Sequence, residues 1–402
     1  MTVYRHARTG PIAEPVSADD TPSRVCLMIG QLGLGGAEKQ IVMLARGLAA
    51  RGIETTLLLL SHGGPREAEL ADSGVTVIRL GYQGVRPWVD LRTAVKRTAI
   101  GVRAFAQLVA HLRRTRPQVL HAYLFHCYIA AAPAARLARV PLCVAGRRSL
   151  STSNLGHRMF LAAERAVERA ANGITDYVVA NAHAVAAEAR RQESLPEHKI
   201  GVIHNGMEEE DFRPAPPAAL DTSLPVVVCV ANLHAYKGHR YLLDAISRVQ
   251  QRGVPCTLVL IGAGGERSRL QSQADGLDID VRFLGQRTDV PAFLARADVV
   301  VLPSLQEGLS NAVMEAMAAG RPVVATAVGG TPELLRGRGV LVPPADAEAL
   351  AEGLHQMLTD RASAARLGNA ARQWALENLS ADTMVERHVT LYRELLERRS
   401  LR

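Results

Sequence analysis

Arg24-Val-Cys-Leu-Met-Ile29-Gly30-Gln-Leu-Gly33-Leu-Gly35-Gly36-Ala-Glu38-Lys39 reads as a strand, a glycine loop and the start of a helix that runs to about Ala50. The apolar run from Val25 to Ile29 does not alternate with polar residues, so the strand is expected to be covered on both faces, as in a parallel sheet. Glycines between a strand and a helix let backbone N–H groups approach an anion at the helix N-terminus. The spacing is not the dinucleotide fingerprint, because Glu38 stands where the third glycine belongs. Nor is it a P-loop, since Lys39 is followed by Gln40. The other reading of this loop is a tight strand-to-helix turn.

The same pattern repeats outward. Thr55–Leu60, Val75–Leu80, Val119–Ala122, Leu142–Ala145 and Tyr177–Ala180 read as further strands separated by helical stretches. A second series starts at Val226–Ala231 and continues with Thr257–Ile261, Val281–Leu284, Val299–Leu302, Val323–Ala325 and Val340–Val342. Strands alternating with helices imply βαβ units. Pro214, Pro216 and Pro217 mark an aperiodic linker between the two series. The division is therefore a leader over 1–23, one doubly wound α/β domain over 24–205, a linker over 206–224, and a second such domain over 225–385. A C-terminal helix and basic tail complete the chain over 386–402. In such sheets ligands bind outside the carboxyl ends of the strands. Two of these domains facing each other form an interdomain cleft suited to a two-substrate reaction.

Composition agrees. The chain has 402 residues, of which 48% are hydrophobic, 21% charged and 4% aromatic. That supports two or three domains with a sizeable core rather than an aromatic-rich sandwich. Cys26, Cys127, Cys143, Cys229 and Cys256 are odd in number and have no C-x-x-C spacing, so they read as buried thiols in a reducing compartment. No apolar run is long enough to span a membrane. The polar leader holds Pro11, Pro15 and Pro22 and no apolar segment, so it reads as a disordered extension of a cytoplasmic protein. The net charge of +8 is uneven: 26 basic against 15 acidic residues lie before Asn205. Residues 86–148 hold twelve Lys or Arg and one acid, Asp90. Arg86, Arg92, Lys96, Arg97, Arg103, Arg113, Arg114 and Arg116 lie on or around one expected helix with Trp88 and Phe105. Such a helix suits an anionic membrane surface or is simply a solvated basic face. No motif that reads nucleic acid accompanies the charge.

The constellation richest in chemistry is Pro303-Ser304-Leu305-Gln306-Glu307-Gly308-Leu309-Ser310-Asn311-Ala312-Val313-Met314-Glu315. It follows a strand and opens a helix. Glu307 is expected just before that helix and Glu315 two turns along it. The N–H groups of Leu309, Ser310 and Asn311 are expected to face an anion. A diphosphate on that helix end, with a carboxylate on either side for sugar hydroxyls, fits the pattern. The plainer reading is an N-cap acid and a solvent-facing helix acid. A second glycine loop, Gly262-Ala-Gly264-Gly265-Glu266-Arg267, again lacks the dinucleotide spacing. Asp278 and Asp280 have the spacing of a metal pair but precede a strand in the wrong region, and no other ligand cluster is apparent.

The Glu, seven residues, Glu pattern of Glu307 and Glu315 resembles the family 4 retaining glycosyltransferases of GT-B fold. The resemblance runs from about 24 to 385. Gly33, Gly35, Gly36 and Glu38 look like that family's acceptor-side loop. Val202–Met207 looks like its interdomain hinge strand. Asn232 through Lys237-Gly238 looks like its phosphate segment, and Pro322–Glu333 like its following strand and loop. The resemblance implies GT-B architecture, a nucleotide-sugar donor on the C-terminal domain, a glycan or lipid-linked acceptor on the N-terminal domain, and no catalytic metal or other cofactor. It implies that Glu315 binds ribose, that Glu307 binds the transferred sugar, and that Lys237 neutralises the diphosphate. Asn232, Gly262, Gly308, Leu309, Ser310 and Asn311 would complete the donor site. The sequence departs from the family at Asn232, where an Arg is common, and at Tyr123, where a second His usually follows His121. His126 is the expected substitute for that His as a catalytic group, or Tyr123 itself takes the place. Arg147 and Arg148 are candidates for an anionic acceptor or the donor phosphate, or form a surface pair. Two other functions share the architecture: a sugar-nucleotide epimerase and a non-catalytic binding partner.

Overall fold

The computed structural model describes residues 21–82, 91–148 and 158–401. The leader up to residue 20, and Arg86 and Trp88 of the basic segment, lie outside the described residues. Two parallel sheets organise the rest. The first orders its strands β3-β2-β1-β4-β5-β6-β7. These are β1 (Arg24–Ile29), β2 (Glu54–Leu59), β3 (Thr76–Arg79), β4 (Val119–Tyr123), β5 (Leu142–Arg147), β6 (Tyr177–Ala180) and β7 (Ile200–Val202). The second orders β10-β9-β8-β11-β12-β13. Its strands are β8 (Val226–Val230), β9 (Thr257–Ile261), β10 (Val281–Gly285), β11 (Val299–Leu302), β12 (Val323–Thr326) and β13 (Val340–Val342). Every strand pairing is parallel. Helices cover both faces, so the central strands β4, β5 and β9 are buried along their whole length. That is why they read as unbroken apolar runs.

The strand order reverses between β1 and β4, and again between β8 and β11. A crevice opens at each reversal at the carboxyl ends of the strands. The loop from β1 into α1 (Gly36–Ala50) lies at the first reversal. The loops from β8 into α6 (His239–Gln251) and from β11 into α9 (Asn311–Ala318) lie at the second. The expected strands fall within a residue or two of those found, and β7 is an addition. It is a three-residue edge strand, and the expected hinge strand from Val202 continues it as extended chain.

Of the remaining helices, α2 (Leu91–Thr115), α3 (Phe125–Ala138), α4 (Arg158–Ile174) and α5 (His183–Glu193) belong to the first domain. In the second lie α7 (Arg267–Leu277), α8 (Val290–Arg296), α10 (Thr331–Leu335), α11 (Ala347–Thr359) and α12 (Arg361–Asn378). The final helix, α13 (Ala381–Ser400), corrects the expected boundary. It begins before residue 386 and is no appended tail. Ser380 caps it, accepting from Thr383 N at 3.1 Å, and it packs on α1 of the first domain. Met384, Val385, Val389 and Tyr392 are buried in the same core as Leu44 and Leu48. A Cβ at Gly47 would lie 2.4 Å from Val385 Cγ2, so the close approach of α1 and α13 requires the glycine. The chain thus crosses between domains twice. The crossings run side by side, with Met207 N donating to Leu379 O and Ala381 N to Met207 O, both at 2.7 Å.

Candidate active site

Between the two sheets lies a cleft of about 1320 Å³, lined by both domains. On the second-domain wall Lys237 Nζ donates to Glu307 Oε1 at 2.6 Å, and Ser304 Oγ donates to the same oxygen at 2.6 Å. Glu307 is 9% exposed, so this is a largely desolvated pair. Its geometry is set by tight backbone contacts. Gly238, which follows Lys237, has φ +71°, and a Cβ there would lie 2.0 Å from Pro303 O. Gly329 has φ +53°, and a Cβ there would lie 2.0 Å from Glu307 O. Only glycine fits either position without displacing the chain that carries the ion pair.

Helix α9 starts at Asn311, with Ser310 as N-cap accepting from Val313 N. Because Ser310 Oγ takes the Val313 N–H, the first-turn donors left within the helix itself belong to Asn311 and Ala312. The expected set, Leu309 to Asn311, begins two residues too early. Glu315 lies one turn into the helix rather than two. Asn232, Lys237, Gly262, Glu307, Gly308, Leu309, Ser310, Asn311 and Glu315 all line the cleft.

The first-domain wall brings Gly35, Gly36 and Glu38 to the cleft, but not Gly33. At Gly36 a Cβ would lie 2.7 Å from Asn311 Nδ2, so the loop touches α9 across the cleft where a side chain would hold the walls apart. Lys39, set aside in the sequence for lacking a P-loop, is a site residue. Its Nζ lies 3.1 Å from Asp211 Oδ1 and 3.2 Å from Glu315 Oε1. Burial works against the ammonium, but Glu315 and Asp211 outweigh it and raise its pKa. Asn205 Nδ2 donates to Asn311 Oδ1 at 2.7 Å, and Arg148 Nη1 donates to Asn205 Oδ1 at 3.1 Å. Gln40 fixes the hinge, exchanging two hydrogen bonds of 2.7 and 2.8 Å with Gly206.

His121, Arg147 and His126, like Gly33, do not reach the cleft. His121 is fully buried, and its Nδ1 lies 2.6 Å from the Tyr392 hydroxyl on α13. Burial first, then the neighbouring His388 ring and the Arg148 guanidinium, lower its pKa far below the ordinary range, so it is neutral. It is a core group that anchors the returning helix. Arg147 points to the opposite face of the sheet, where Glu168 and Glu193 pair with it and Tyr128 accepts from it. It is a structural ion pair, not an acceptor contact, and the Arg147-Arg148 surface pair does not form. His126 is exposed on the first turn of α3, its ring 5.3 Å from Phe125. The cleft is lined at that point by Leu124, not by His126. Tyr123 is likewise fully buried, so it does not supply the missing group to the cleft.

The domains also meet through Glu333, which accepts from His204 Nε2 at 3.1 Å and from the backbone N–H groups of His183 and Ala184 at 3.0 and 2.9 Å. Burial pushes its carboxyl up, and these donors more than offset it, so the net pKa is lowered. His183, His204 and Glu333 place ligand-type atoms within 4.8 Å of one another. The carboxylate here caps the positive end of α5, an end that repels cations.

Glycosyltransferase family profiles match both halves: Glycosyltransferase Family 4 over residues 34–211 and Glycosyl transferases group 1 over 224–360. A GDP-mannose-dependent alpha-(1-6)-phosphatidylinositol monomannoside mannosyltransferase of Mycolicibacterium smegmatis is 32% identical over 276 residues, 62% of this chain and 71% of that protein. The chain belongs to the family 4 glycosyltransferases. A lipopolysaccharide core biosynthesis glycosyltransferase of Rhizobium meliloti is 28% identical over 89% of this chain and 95% of that one. Among solved structures, Anabaena Alr3699/HepE in complex with UDP has a TM-score of 0.75 at 21% identity, covering 92% of this chain and 99% of that one. The sucrose-phosphate synthase of Thermosynechococcus elongatus has a TM-score of 0.76 at 23% identity, covering 94% and 100%. The architecture of this glycosyltransferase is thus GT-B. No helix among its described residues is long and apolar enough to cross a membrane.

Proposed function

We propose that this glycosyltransferase takes a nucleotide-diphosphate sugar on its second-domain wall. It transfers the sugar, with retention of anomeric configuration, to a glycan or lipid-linked acceptor on its first-domain wall. The observation that carries this reading is the desolvated Lys237–Glu307 pair, set beside the N-terminus of α9 with Glu315 one turn in. When a sugar leaves a diphosphate, negative charge grows on the leaving phosphate. A fixed ammonium and the positive end of a helix stabilise that charge without reorganisation. Lys237 and α9 are assigned this role and no metal is invoked. Glu307, held by Lys237 and Ser304, orients the sugar, and Glu315 takes the ribose hydroxyls once Lys39 yields it. Front-side substitution, with the donor phosphate assisting removal of the acceptor's proton, needs no further base from the first domain. Domain closure excludes water that would otherwise hydrolyse the donor.

The relatives support a nucleotide-sugar donor and a surface glycan or glycolipid context. One is named as GDP-mannose-dependent and acting on a phosphatidylinositol mannoside, another is named for lipopolysaccharide core synthesis, and HepE binds UDP and UDP-glucose. A lipid-linked acceptor suits a cytoplasmic enzyme resting on an anionic inner membrane face. On α2 the buried Ala104, Leu108 and Leu112 face the core, while Arg103, Arg113 and Arg114 are exposed.

The test is a thermal-shift panel of nucleoside diphosphates and their sugars on wild type and Glu315→Ala. At 100 times the dissociation constant a ligand stabilises by about 2.7 kcal/mol. One nucleotide is expected to raise the melting temperature of wild type and to lose that effect in the variant. A panel with no response, or an equal response in Glu315→Ala, counts against the reading.

A further inference from the structure

Most cations that line the cleft are already matched. Lys237 pairs with Glu307, Lys39 with Glu315 and Asp211, Arg66 with Glu69, Arg213 with Glu209 and Arg287 with Asp289. Arg321 and Arg372 give their N–H groups to backbone carbonyls. Arg148 is different. It is 9% exposed, and its one side-chain hydrogen bond is Nη1 to the amide oxygen of Asn205. Its Nε and Nη2 have no partner. Beneath the guanidinium, 4.0 Å from Cζ, lies the ring of Tyr123. The titratable groups on that side are Tyr123, His121, His388 and Tyr392, and burial keeps all four neutral. No described carboxylate pairs with Arg148, and residues 149–157, which follow it, include no acid. A nearly buried cation matched only by an amide and an aromatic face is a standing cost to the folded state.

We propose that Arg148 binds a phosphate-type anion of a substrate, so that its charge is neutralised only in the loaded enzyme. The hydrogen-bond path Arg148–Asn205–Asn311 places the guanidinium two bonds from the first residue of α9. Arg148 and the first residues of α9 line the same cleft. Phosphate, with several charged oxygens, is the acceptor that a guanidinium lacking a carboxylate partner suits best. The inference rests on the cleft being the substrate site. The phosphate is either the donor's diphosphate or a phosphate carried by the acceptor.

The experiment uses the full chain as wild type, Arg148→Lys and Arg148→Met, titrated calorimetrically with inorganic phosphate, pyrophosphate, UDP and GDP. Melting temperatures are recorded without ligand. Expected are a tenfold or greater loss of anion affinity in Arg148→Met, a smaller loss in Arg148→Lys, and an unliganded melting temperature for Arg148→Met at or above wild type. A residue with a purely structural role would move that temperature down. Loss of UDP or GDP affinity assigns the donor diphosphate. Unchanged nucleotide affinity, with loss of phosphate binding to the nucleotide-loaded enzyme, assigns an acceptor phosphate. The proposal is overturned if Arg148→Met binds every anion as wild type does, or fails to fold. Wild type that binds neither UDP nor GDP defeats the donor reading of the cleft, while the phosphate and pyrophosphate titrations still decide Arg148.

Discussion

The two walls of the cleft are built by different means. The second-domain wall is a local product of one sheet: Ser304, Glu307 and Lys237 converge at the carboxyl ends of β8 and β11. Two glycines at positive φ let neighbouring backbone segments close on each other there. The first-domain wall is assembled from parts that meet across the chain. Lys39 reaches Glu315, Gly36 lies against Asn311, and Asn205 of the hinge joins Arg148 to Asn311. The contrast separates fixed electrostatics on one side from contacts that depend on domain placement on the other. A pre-organised charge array stabilises a leaving group best when it does not move. A wall that admits a second substrate must open and close.

The contrast can be broken most directly at Lys237. Lys237→Ala leaves Glu307 a nearly buried acid without its cation, and transfer is expected to fall by about 100-fold or more, mainly in kcat. Steady-state kinetics with the donor found in the thermal-shift panel measures this. A fall confined to KM would mean that the pair only binds substrate and does not act in the transition state. The backbone of the same wall is tested by Gly238→Ala. The variant forces an L-residue to φ +71° and drives a methyl group to 2.0 Å from Pro303 O. Denaturant unfolding is expected to show a loss of about 2 kcal/mol. A change of a few tenths would show that the loop yields easily and that the wall is less rigid than its contacts imply.

The support of the other wall is probed by pH. His388, fully buried on α13 and donating from Nδ1 to Met384 O at 2.8 Å, has its pKa pushed down to about 3 by burial and then by Arg148. The unfolded chain takes up this proton below its ordinary value near 6.5, whereas the folded one refuses it until about pH 3. The group's contribution is therefore complete above pH 6.5 and is lost as pH falls. At pH 5 the loss is about 2 kcal/mol. His388→Leu is expected to flatten the fall in unfolding free energy between pH 7 and pH 5, leaving the smaller slope due to His121, His239 and His111. An unchanged slope would show that α13 opens locally and lets His388 titrate before the domain unfolds.

Much of this was legible in the residues. Unbroken runs such as Val299–Leu302 announce strands covered on both faces, because a half-exposed strand would alternate. The Glu307 to Glu315 segment announces a helix after a strand, although that helix starts later than expected because Ser310 caps it. The misplacing of His121 and Arg147 has one source. His121 and Arg147 sit at or near strand ends that point toward the cleft in sequence, but alternate residues of a strand face opposite sides. Which side is core depends on the helices packed there. His121 faces α13, a helix more than 250 positions away, and Arg147 faces Glu168 and Glu193. Lys39 was passed over because its partners lie on the hinge and in the other domain.

By itself, then, the sequence determined the two doubly wound domains and the strand-to-helix setting of Glu307 and Glu315, while Lys237 was singled out through the family resemblance. The domains and that setting follow from periodicity and glycine placement, which act over a few residues. The tertiary structure alone decided that the last helix returns to the first domain, that Arg148 rather than Arg147 or His126 lines the cleft, and that Lys39 holds Glu315. Those outcomes depend on which buried surfaces and charges meet across hundreds of residues, and hydrogen bonds and ion pairs at such range have no spacing that a linear pattern could carry.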